Sequence, residues 1–471
     1  MHWCNAQQQR VLTQESDSDR LTSNASSLRR SRPTTKASYL RAVTPLELNA
    51  DFQYALDLLE NTRQHLFVTG RAGTGKSTFL RLFRRTTRKR VVTLAPTGIA
   101  ALNVGGQTIH SFCGFPPKML TRQNIRKRRF KKLYQNIDVL VIDEISMVRA
   151  DLLDNMDYFF RVNRENHAPF GGLQLVFIGD LFQLPPVVTS AEAVLFNSRY
   201  ETPYFFSAEV FAGGEIEMEM LELKKVYRQE ERHFLRLLDA VRLNRIDHED
   251  LEDFNHRYVH DFEPEEFFIT LSARNASVNL INERELNKLP GGAFIYPADI
   301  AGEFKPHLYP TESLLTLRKE AQVMFIKNDP DKKYVNGTIG KVIELGEDLI
   351  KVRVSERSGD DYELEVGRLE WQILKYVPDP KNPDNIVTET VGTFKQYPLK
   401  LAWAVTIHKS QGKTFDRVII DLGRGAFEHG QTYVALSRCR TLGGIVLKQP
   451  LRLQDVLTDE RVVEFYEQWL W

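Results

Sequence analysis

Gly70-Arg71-Ala72-Gly73-Thr74-Gly75-Lys76-Ser77 is the stretch on which the reading of this chain turns. The apolar run Leu66 to Thr69 precedes it and Phe79, Leu80, Leu82 and Phe83 follow, so a buried strand enters a glycine turn and a helix leaves it. The glycines let backbone N–H groups close around phosphate oxygens, and the helix N-terminus adds a favourable dipole. In such a loop Lys76 reaches the β- and γ-phosphates of a nucleotide, and Ser77 is placed to ligate Mg²⁺. A glycine turn that holds nothing is the plain alternative.

Two further strand ends bear on that choice. Val139-Leu140-Val141-Ile142-Asp143-Glu144 is an apolar run closing on two acids. Beside a phosphate loop, Asp143 would hold Mg²⁺ directly or through water, and Glu144 would orient and deprotonate an attacking water. Phe177-Ile178-Gly179-Asp180 leads into Leu181-Phe182-Gln183-Leu184-Pro185-Pro186, where the neutral amide of Gln183 can sense a γ-phosphate. On its own, Gln183 reads equally as a loop amide facing water.

Around these ends the strands Leu66 to Thr69, Val91 to Ala95, Val139 to Ile142 and Leu175 to Ile178 alternate with helical stretches, which implies a parallel sheet with right-handed crossovers. Phe268 to Leu271, Val418 to Leu422 and Gly444 to Leu447 predict a second α/β layer. From about 316 to 392 the character changes. Gln322 to Ile326, Gly340 to Leu345, Leu349 to Val354 and Tyr362 to Val366 are short strand-like runs separated by turn sequences, a small β module set into the second α/β domain.

A chain of 471 residues, 42% hydrophobic and 27% charged, has the composition of an ordinary globular protein of about three domains and excludes coiled coils, collagens and disulfide scaffolds. Sixty-three basic residues against 62 acidic leave a net charge of +1, so any affinity for nucleic acid must come from a local groove. Cys4, Cys113 and Cys439 show no paired spacing, which fits a reducing, intracellular compartment, cytoplasmic or nuclear or organellar, without secretion. No apolar run approaches the ~20 residues that cross a bilayer. Residues 1 to about 43, rich in Gln, Ser, Thr and Arg, read as a disordered tail; Arg29, Arg30 and Arg32 suggest a transit peptide, which Glu15, Asp17 and Asp19 oppose. Thr44-Pro45-Leu46-Glu47 predicts a capped helix running to Leu59.

Taken together the motifs resemble the Pif1-like branch of superfamily 1B DNA helicases, from about Leu46 to Leu447. The resemblance runs through Gln53, the phosphate loop, Ala95-Pro96-Thr97-Gly98-Ile99-Ala100-Ala101, Gly106-Gln107-Thr108-Ile109-His110-Ser111-Phe112 and Ile142 to Met147. Its most specific piece is Pro169-Phe170-Gly171-Gly172-Leu173-Gln174-Leu175 leading into Gly179 to Val187. Val226-Tyr227-Arg228-Gln229, Ala404 to Thr414 and Tyr433-Val434-Ala435-Leu436-Ser437-Arg438 follow in the family's order.

The resemblance implies two RecA-like parallel-sheet domains with a small SH3-like β insert in the second. It divides the chain into 44–205 with a small insert at about 113–132, then 206–315, the β insert at 316–392, and 393–471 ending in a helix. It implies ATP and Mg²⁺ as cofactors. Gly70, Gly73, Thr74, Gly75, Lys76, Ser77, Thr78 and Gly412 would hold nucleotide, with Gln53 recognising adenine, Ser77 and Asp143 the metal, and Arg228 and Arg438 reaching the γ-phosphate across the interdomain cleft. Such guanidinium groups stabilise charge on the transferring phosphoryl group.

Single-strand binding without sequence preference needs backbone donors, hydroxyls at phosphates and flat groups for stacking. Pro96, Thr97, Gly98, His110, Ser111 and Phe112 supply these, and His408, Ser410 and Gln411 would complete the track; His110 and Phe112 also read as core residues. Arg122, Arg126, Lys127, Arg128, Arg129, Lys131 and Lys132 are the densest basic run, either a solvated face or a phosphate contact. By the resemblance the β insert covers the DNA. The implied partners are single-stranded DNA and single-strand/duplex junctions, met as a monomer or a DNA-induced dimer, with 5′-to-3′ polarity. A RecD-like or conjugative helicase subunit, and a non-catalytic nucleotide-dependent DNA-binding protein, are the competing readings.

Overall fold

A computed structural model describes residues 49–470 apart from 117–119, 330, 332 and 356–360. The tail and the capping box at Thr44 to Glu47 lie outside the described residues. The first described helix is Ala50–Asn61, and its cap is Asn49, whose side chain accepts the N–H of Phe52 at 2.8 Å.

Runs of Val, Ile, Leu and Phe with few polar interruptions are what a parallel sheet buried on both faces requires. They form β1 (His65–Gly70), β2 (Val91–Ala95), β3 (Gln107–Thr108), β4 (Val139–Asp143), β5 (Gln174–Ile178) and β6 (Met218–Leu223). The sheet order is β3-β2-β4-β5-β1-β6, with every neighbouring pair parallel. Register places Val68 opposite Ile178 and Ile178 opposite Asp143, so the C-terminal ends of β1, β5 and β4 finish level. That shared edge is where open α/β sheets bind their ligands.

β6 corrects the first domain boundary. The expected end at 205 is too early, because Met218–Leu223 pairs along the whole of β1. The reason is compositional: the strand alternates Met or Leu with Glu and is half-buried at the sheet edge, so it lacks the apolar run that marked the others.

The second parallel sheet opens with β7 (Ile269–Ser272), after which the chain leaves for antiparallel structure. β8 (Phe294–Pro297), β9 (Asp299–Gly302) and β10 (Leu314–Leu317) come first, β8 pairing with β10. β11 (Gln322–Phe325), β12 (Ile339–Leu345), β13 (Ile350–Ser355) and β14 (Asp361–Val366) form a meander. β15 (Leu369–Pro378) and β16 (Ile386–Gln396) make a long hairpin that takes β9 on its edge, and β17 (Leu399–Leu401) returns to β11. The parallel sheet then resumes with β18 (Ala404–Thr406), β19 (Val418–Asp421) and β20 (Ile445–Leu447) in the order β18-β7-β19-β20.

The four strand-like runs expected in the insert are β11 to β14, closed by β17 around Val323, Phe325, Val342, Val352 and Leu399. The antiparallel strands nevertheless begin at Phe294 and end at Leu401, beyond 316–392 on both sides. β8 and β9 are almost wholly exposed, so no buried periodicity announces them.

The hairpin reaches back to the first sheet. The Tyr376 hydroxyl accepts the N–H of Thr93 at 3.0 Å, just where the two-residue β3 stops pairing with β2, and the N–H of Tyr376 donates to Gln107 Oε1 at 3.2 Å. At its tip, Arg90 and Asn136 donate to the carbonyls of Asp384 and Pro383, each at 3.0 Å. A short edge strand is thereby covered. The helix Glu460–Leu470 also returns to the first lobe, Phe465 stacking on Phe206 at 4.4 Å and Tyr466 meeting Phe182 edge-on at 5.1 Å.

Tyr376→Phe would keep the ring against Phe112 but leave a buried N–H without its acceptor, a loss of about 1–3 kcal/mol. Urea unfolding should show that loss, with amide exchange at Thr93 accelerating; an unchanged midpoint with Thr93 still protected would exclude the docking bond.

Candidate nucleotide site and nucleic-acid interface

The loop between β1 and the helix Lys76–Thr86 turns through three glycines at positive φ. Gly73 is the most constrained: φ is 86°, and a Cβ there would stand 2.5 Å from Cβ of Arg228. Backbone conformation and a close neighbour both demand glycine. Arg228 lies in the connector after β6, where the N–H of Tyr227 donates to the carbonyl of Gly73 at 3.0 Å. Lys76 folds over its own loop, Nζ donating to the carbonyls of Gly70 at 2.6 Å and Arg71 at 3.1 Å. Burial lowers its proton affinity, against the pull of Asp180 and Glu144. Ser77 and Thr78 follow on the first helical turn, Ser77 exposed.

Asp143 ends β4 and Glu144 begins the turn beyond it with φ 51° and ψ 47°, the left-handed region. A non-glycine residue held there costs about 1–3 kcal/mol, and such strain collects at functional sites. Burial pushes the Asp143 carboxyl up to about 7, and the neighbouring Glu144 charge adds to the effect. Burial also raises Glu144, opposed by Lys76 and Arg438. Gln183 is held at both ends: Nε2 donates to Asp180 Oδ2 at 3.1 Å, and Oε1 accepts from Gln411 Nε2 at 3.4 Å.

The second lobe closes over this edge. Arg228 donates through Nη1 to the carbonyl of Ser437 at 3.1 Å. Arg438, 1% exposed, donates to the carbonyl of Val434 at 2.9 Å, to Ser437 Oγ at 2.7 Å and to the carbonyl of Ser410 at 3.5 Å. Burial drags its guanidinium down to about 10, resisted by Tyr433, Glu144 and Asp180. The Tyr433 hydroxyl accepts the N–H of Ala72 inside the loop at 3.0 Å. Lys76, Asp143, Glu144, Gln183, Arg228 and Arg438 thus converge on one cleft.

Two other expected residues are exposed. Gly412 has nothing within 4 Å of where its Cβ would stand. Gln53 lies on the exposed side of its helix.

Of the strand-binding candidates, Pro96 leads into Thr97, which caps the helix Gly98–Val104 through Oγ1 and the N–H of Ala100 at 3.2 Å. Ser111 Oγ accepts from Gln107 Nε2 at 2.8 Å. Burial holds the half-buried His110 imidazole below its usual pKa. His408 Nε2 is 2.9 Å from Glu428 Oε2.

Two residues are corrected. Phe112 is 5% exposed and packs edge-on against Tyr134 at 5.4 Å and Tyr376 at 5.9 Å, because on its short helix it shares the core-facing side with Ile109. It cannot stack on a base. Ser410 is fully buried and spends its hydroxyl on the carbonyl of Ile407 at 2.6 Å.

The basic run is partly neutralised. Lys127 and Lys131 both pair with Glu165, and Arg122 with Glu209, while Arg126, Arg129 and Lys132 make no ion pair among the described residues.

The model of the PIF1-like helicase family matches residues 48–252. The chain is 36% identical to the human ATP-dependent DNA helicase PIF1 over 86% of its own length and 61% of that protein's, so it spans about three fifths of this curated relative. The Pif1 of a Bacteroides species in complex with ADP-AlF4 superposes with a TM-score of 0.83 at 35% identity, over 90% of this chain and 98% of that one. The chain belongs to the Pif1-like helicase family. Bacteroides Pif1 bound to single-stranded DNA covers the same 90% of this chain and 97% of its own, at 36% identity, but with a TM-score of 0.64.

Three residues packed around the loop and cleft went unread in the sequence. Tyr227, 47% exposed, sets its ring beside Gly75, with Lys225 Nζ 5.2 Å from its centroid and the Asn49 amide donating to its hydroxyl at 3.4 Å. Its place next to Arg228 was the available signal. Tyr433 gave a similar one, five residues before Arg438. Arg242 gave only its position eight residues after Phe234 and four after Leu238, in the apolar register of its helix.

Gly73→Ala adds a methyl group where neither φ nor Arg228 leaves room, so binding of a fluorescent ADP analogue should weaken by about tenfold or more. Wild-type affinity in that variant would show that the Arg228 contact yields freely.

Proposed function

We propose that the chain is an ATP-driven DNA helicase that translocates 5′ to 3′ on single-stranded DNA and unwinds duplex or structured DNA in genome maintenance. One observation carries this reading: Lys76, Arg228 and Arg438, from three separate segments, meet Asp143, Glu144 and Gln183 on a single glycine loop. Membership of the Pif1-like family supports it, and the polarity rests on that resemblance.

In this reading the N–H groups from Gly73 to Thr78 receive the phosphates. Lys76 leaves the carbonyls of Gly70 and Arg71 for the β- and γ-oxygens. Glu144, whose proton affinity burial raises, orients a water and takes its proton. Gln183 has one amide N–H engaged by Asp180 and a second for a phosphate oxygen. Arg228 and Arg438 stabilise the charge that develops on the transferring group, worth about 10³ or more in rate.

No group of three or more His, Cys, Asp or Glu among the described residues could hold a metal alone. Magnesium carried by a triphosphate needs no such cage, only one or two protein oxygens. Ser77 and Asp143 fit as those donors, since both are hard oxygens and the raised Asp143 carboxyl calls for positive charge. When bound, the ion neutralises charge on the β- and γ-oxygens.

Single-stranded DNA and its junctions with duplex would run along Thr97, Gly98, His110 and Ser111 of the first lobe to His408 and Gln411 of the second, with one protein or a DNA-assembled pair at work. Here Leu308 sits on Gly98, so closely that a Cβ would lie 2.1 Å from its Cδ2. The better fit to the ADP-AlF4 form of the Bacteroides relative than to its DNA-bound form supports a repositioning of the lobes and insert when a strand enters.

Single-stranded DNA should raise ATP turnover by about tenfold or more, and 5′-tailed duplexes should be unwound where 3′-tailed ones are not. Lys76→Ala should abolish hydrolysis and keep DNA binding, and Glu144→Gln should bind ATP without turning it over; turnover indifferent to DNA would reject the motor.

Burial raises both carboxyls of the adjacent Asp143 and Glu144, Asp143 to about 7, so as the pair gives up a proton kcat/KM for MgATP should climb with pH along a limb near 7. A profile flat from about pH 6 to pH 8 would contradict that assignment.

A further inference from the structure

Arg242 ends the helix Arg232–Arg242, outside every motif quoted above, and is 2% exposed. Its guanidinium lies 4.4 Å from the ring centroid of Phe182 and 5.1 Å from that of Tyr466. It donates to Asp180 Oδ1 from Nη2 at 3.3 Å and from Nε at 3.4 Å, and to Glu222 Oε1 from Nη1 at 3.4 Å. A planar cation packed against two touching rings, with both edges engaged, has one orientation.

Asp180 passes that orientation on. Its Oδ1 also accepts the N–H of Phe182 at 3.3 Å, and its Oδ2 holds Gln183 Nε2, while Gln183 Oε1 meets Gln411. An unbroken chain, Arg242 to Asp180 to Gln183 to Gln411, therefore leads from a buried ion pair to the second-lobe loop. Arg242 also balances charge. Asp180 draws on Lys76, and Arg242 works against that pull. Without the guanidinium, Asp180 would be free to turn and Gln183 would lose its fixed anchor.

We propose that Arg242 is a positioning residue for ATP hydrolysis, clamping Asp180 so that Gln183 stands between the nucleotide and Gln411. This rests on the motor reading above. Its reach is specific: Arg242 governs the response of turnover to DNA more than the binding of ATP.

The test compares Arg242→Met, Arg242→Lys and Asp180→Asn in steady-state ATPase with and without oligo-dT, alongside thermal unfolding. Arg242→Met should lose about tenfold or more of the DNA-stimulated kcat with KM for ATP within about twofold. Arg242→Lys should recover part of the loss, Asp180→Asn should resemble Arg242→Met, and the double variant should be no worse than the poorer single one. A merely structural residue would scale basal and stimulated rates by the same factor, and that result, or wild-type stimulation in a folded Arg242→Met, overturns the proposal. Should Arg242→Met fail to fold, Asp180→Asn decides: full stimulation there overturns it too. A wild-type chain that ignores DNA overturns the motor reading instead, which is a separate outcome.

Discussion

Seven charges gathered, buried or half-buried, on both sides of one cleft are the constraint on which this structure depends. Asp143, Glu144 and Asp180 stand at strand ends of the first sheet, with Lys76, Arg228, Arg242 and Arg438 around them. Each would be costly to bury alone, and removing one partner strands another. Their solution is close packing with additional donors and acceptors. Arg438 takes two carbonyls and a hydroxyl, Lys76 two carbonyls, and Arg242 two carboxylates and two ring faces. Such a cluster is a standing demand for anionic charge and is tolerant of its arrival.

The sheets exist to make that cluster possible. Because β1, β5 and β4 finish level, the glycine loop, Asp180 and Gln183, and the paired acids emerge along one edge without any long side chain having to stretch. The second sheet contributes no residue from its strands to this edge. It supports the loop of Gln411 and the helix Gln431–Leu436, whose approach is so close that a Cβ on Gly430 would lie 2.4 Å from the carbonyl of Gln183. Glycine at that position, at φ 71°, lets the two lobes touch backbone to backbone.

Residues whose role follows from local pattern were legible in the sequence. Gly70 to Ser77, Asp143 and Glu144 announce themselves by spacing, and the buried strands fall within a residue or two of their apolar runs. What stayed hidden depends on partners remote in the chain. β6 is an edge strand with glutamates, the β15–β16 hairpin is largely exposed or half-buried, and Phe112 is covered in part by Tyr376, which arrives from 264 positions later. The basic run shows the same limit: its lysines read as free until Glu165, on another part of the fold, is seen to hold two of them. Phe130, 65% exposed with Arg129 over its ring, is an aromatic side chain within that run that also faces solvent.

Contacts across the cleft differ in strength in a way that bears on motion. Tyr433 to Ala72 at 3.0 Å and Gln411 to Gln183 at 3.4 Å are bonds between neutral groups, each worth about 1 kcal/mol net, and the second is long for its kind. The C-terminal helix is joined to the first lobe instead by stacked rings, Phe465 on Phe206 and Tyr466 on Phe182, whose burial contributes several times as much. A ligand that prefers one arrangement by a few kcal/mol can exchange the former and leave the latter in place. The aromatic seam is then the firmer of the two junctions. This asymmetry lets phosphate chemistry at Lys76 reach the loops at Gln411 and Tyr433 without unfolding either sheet.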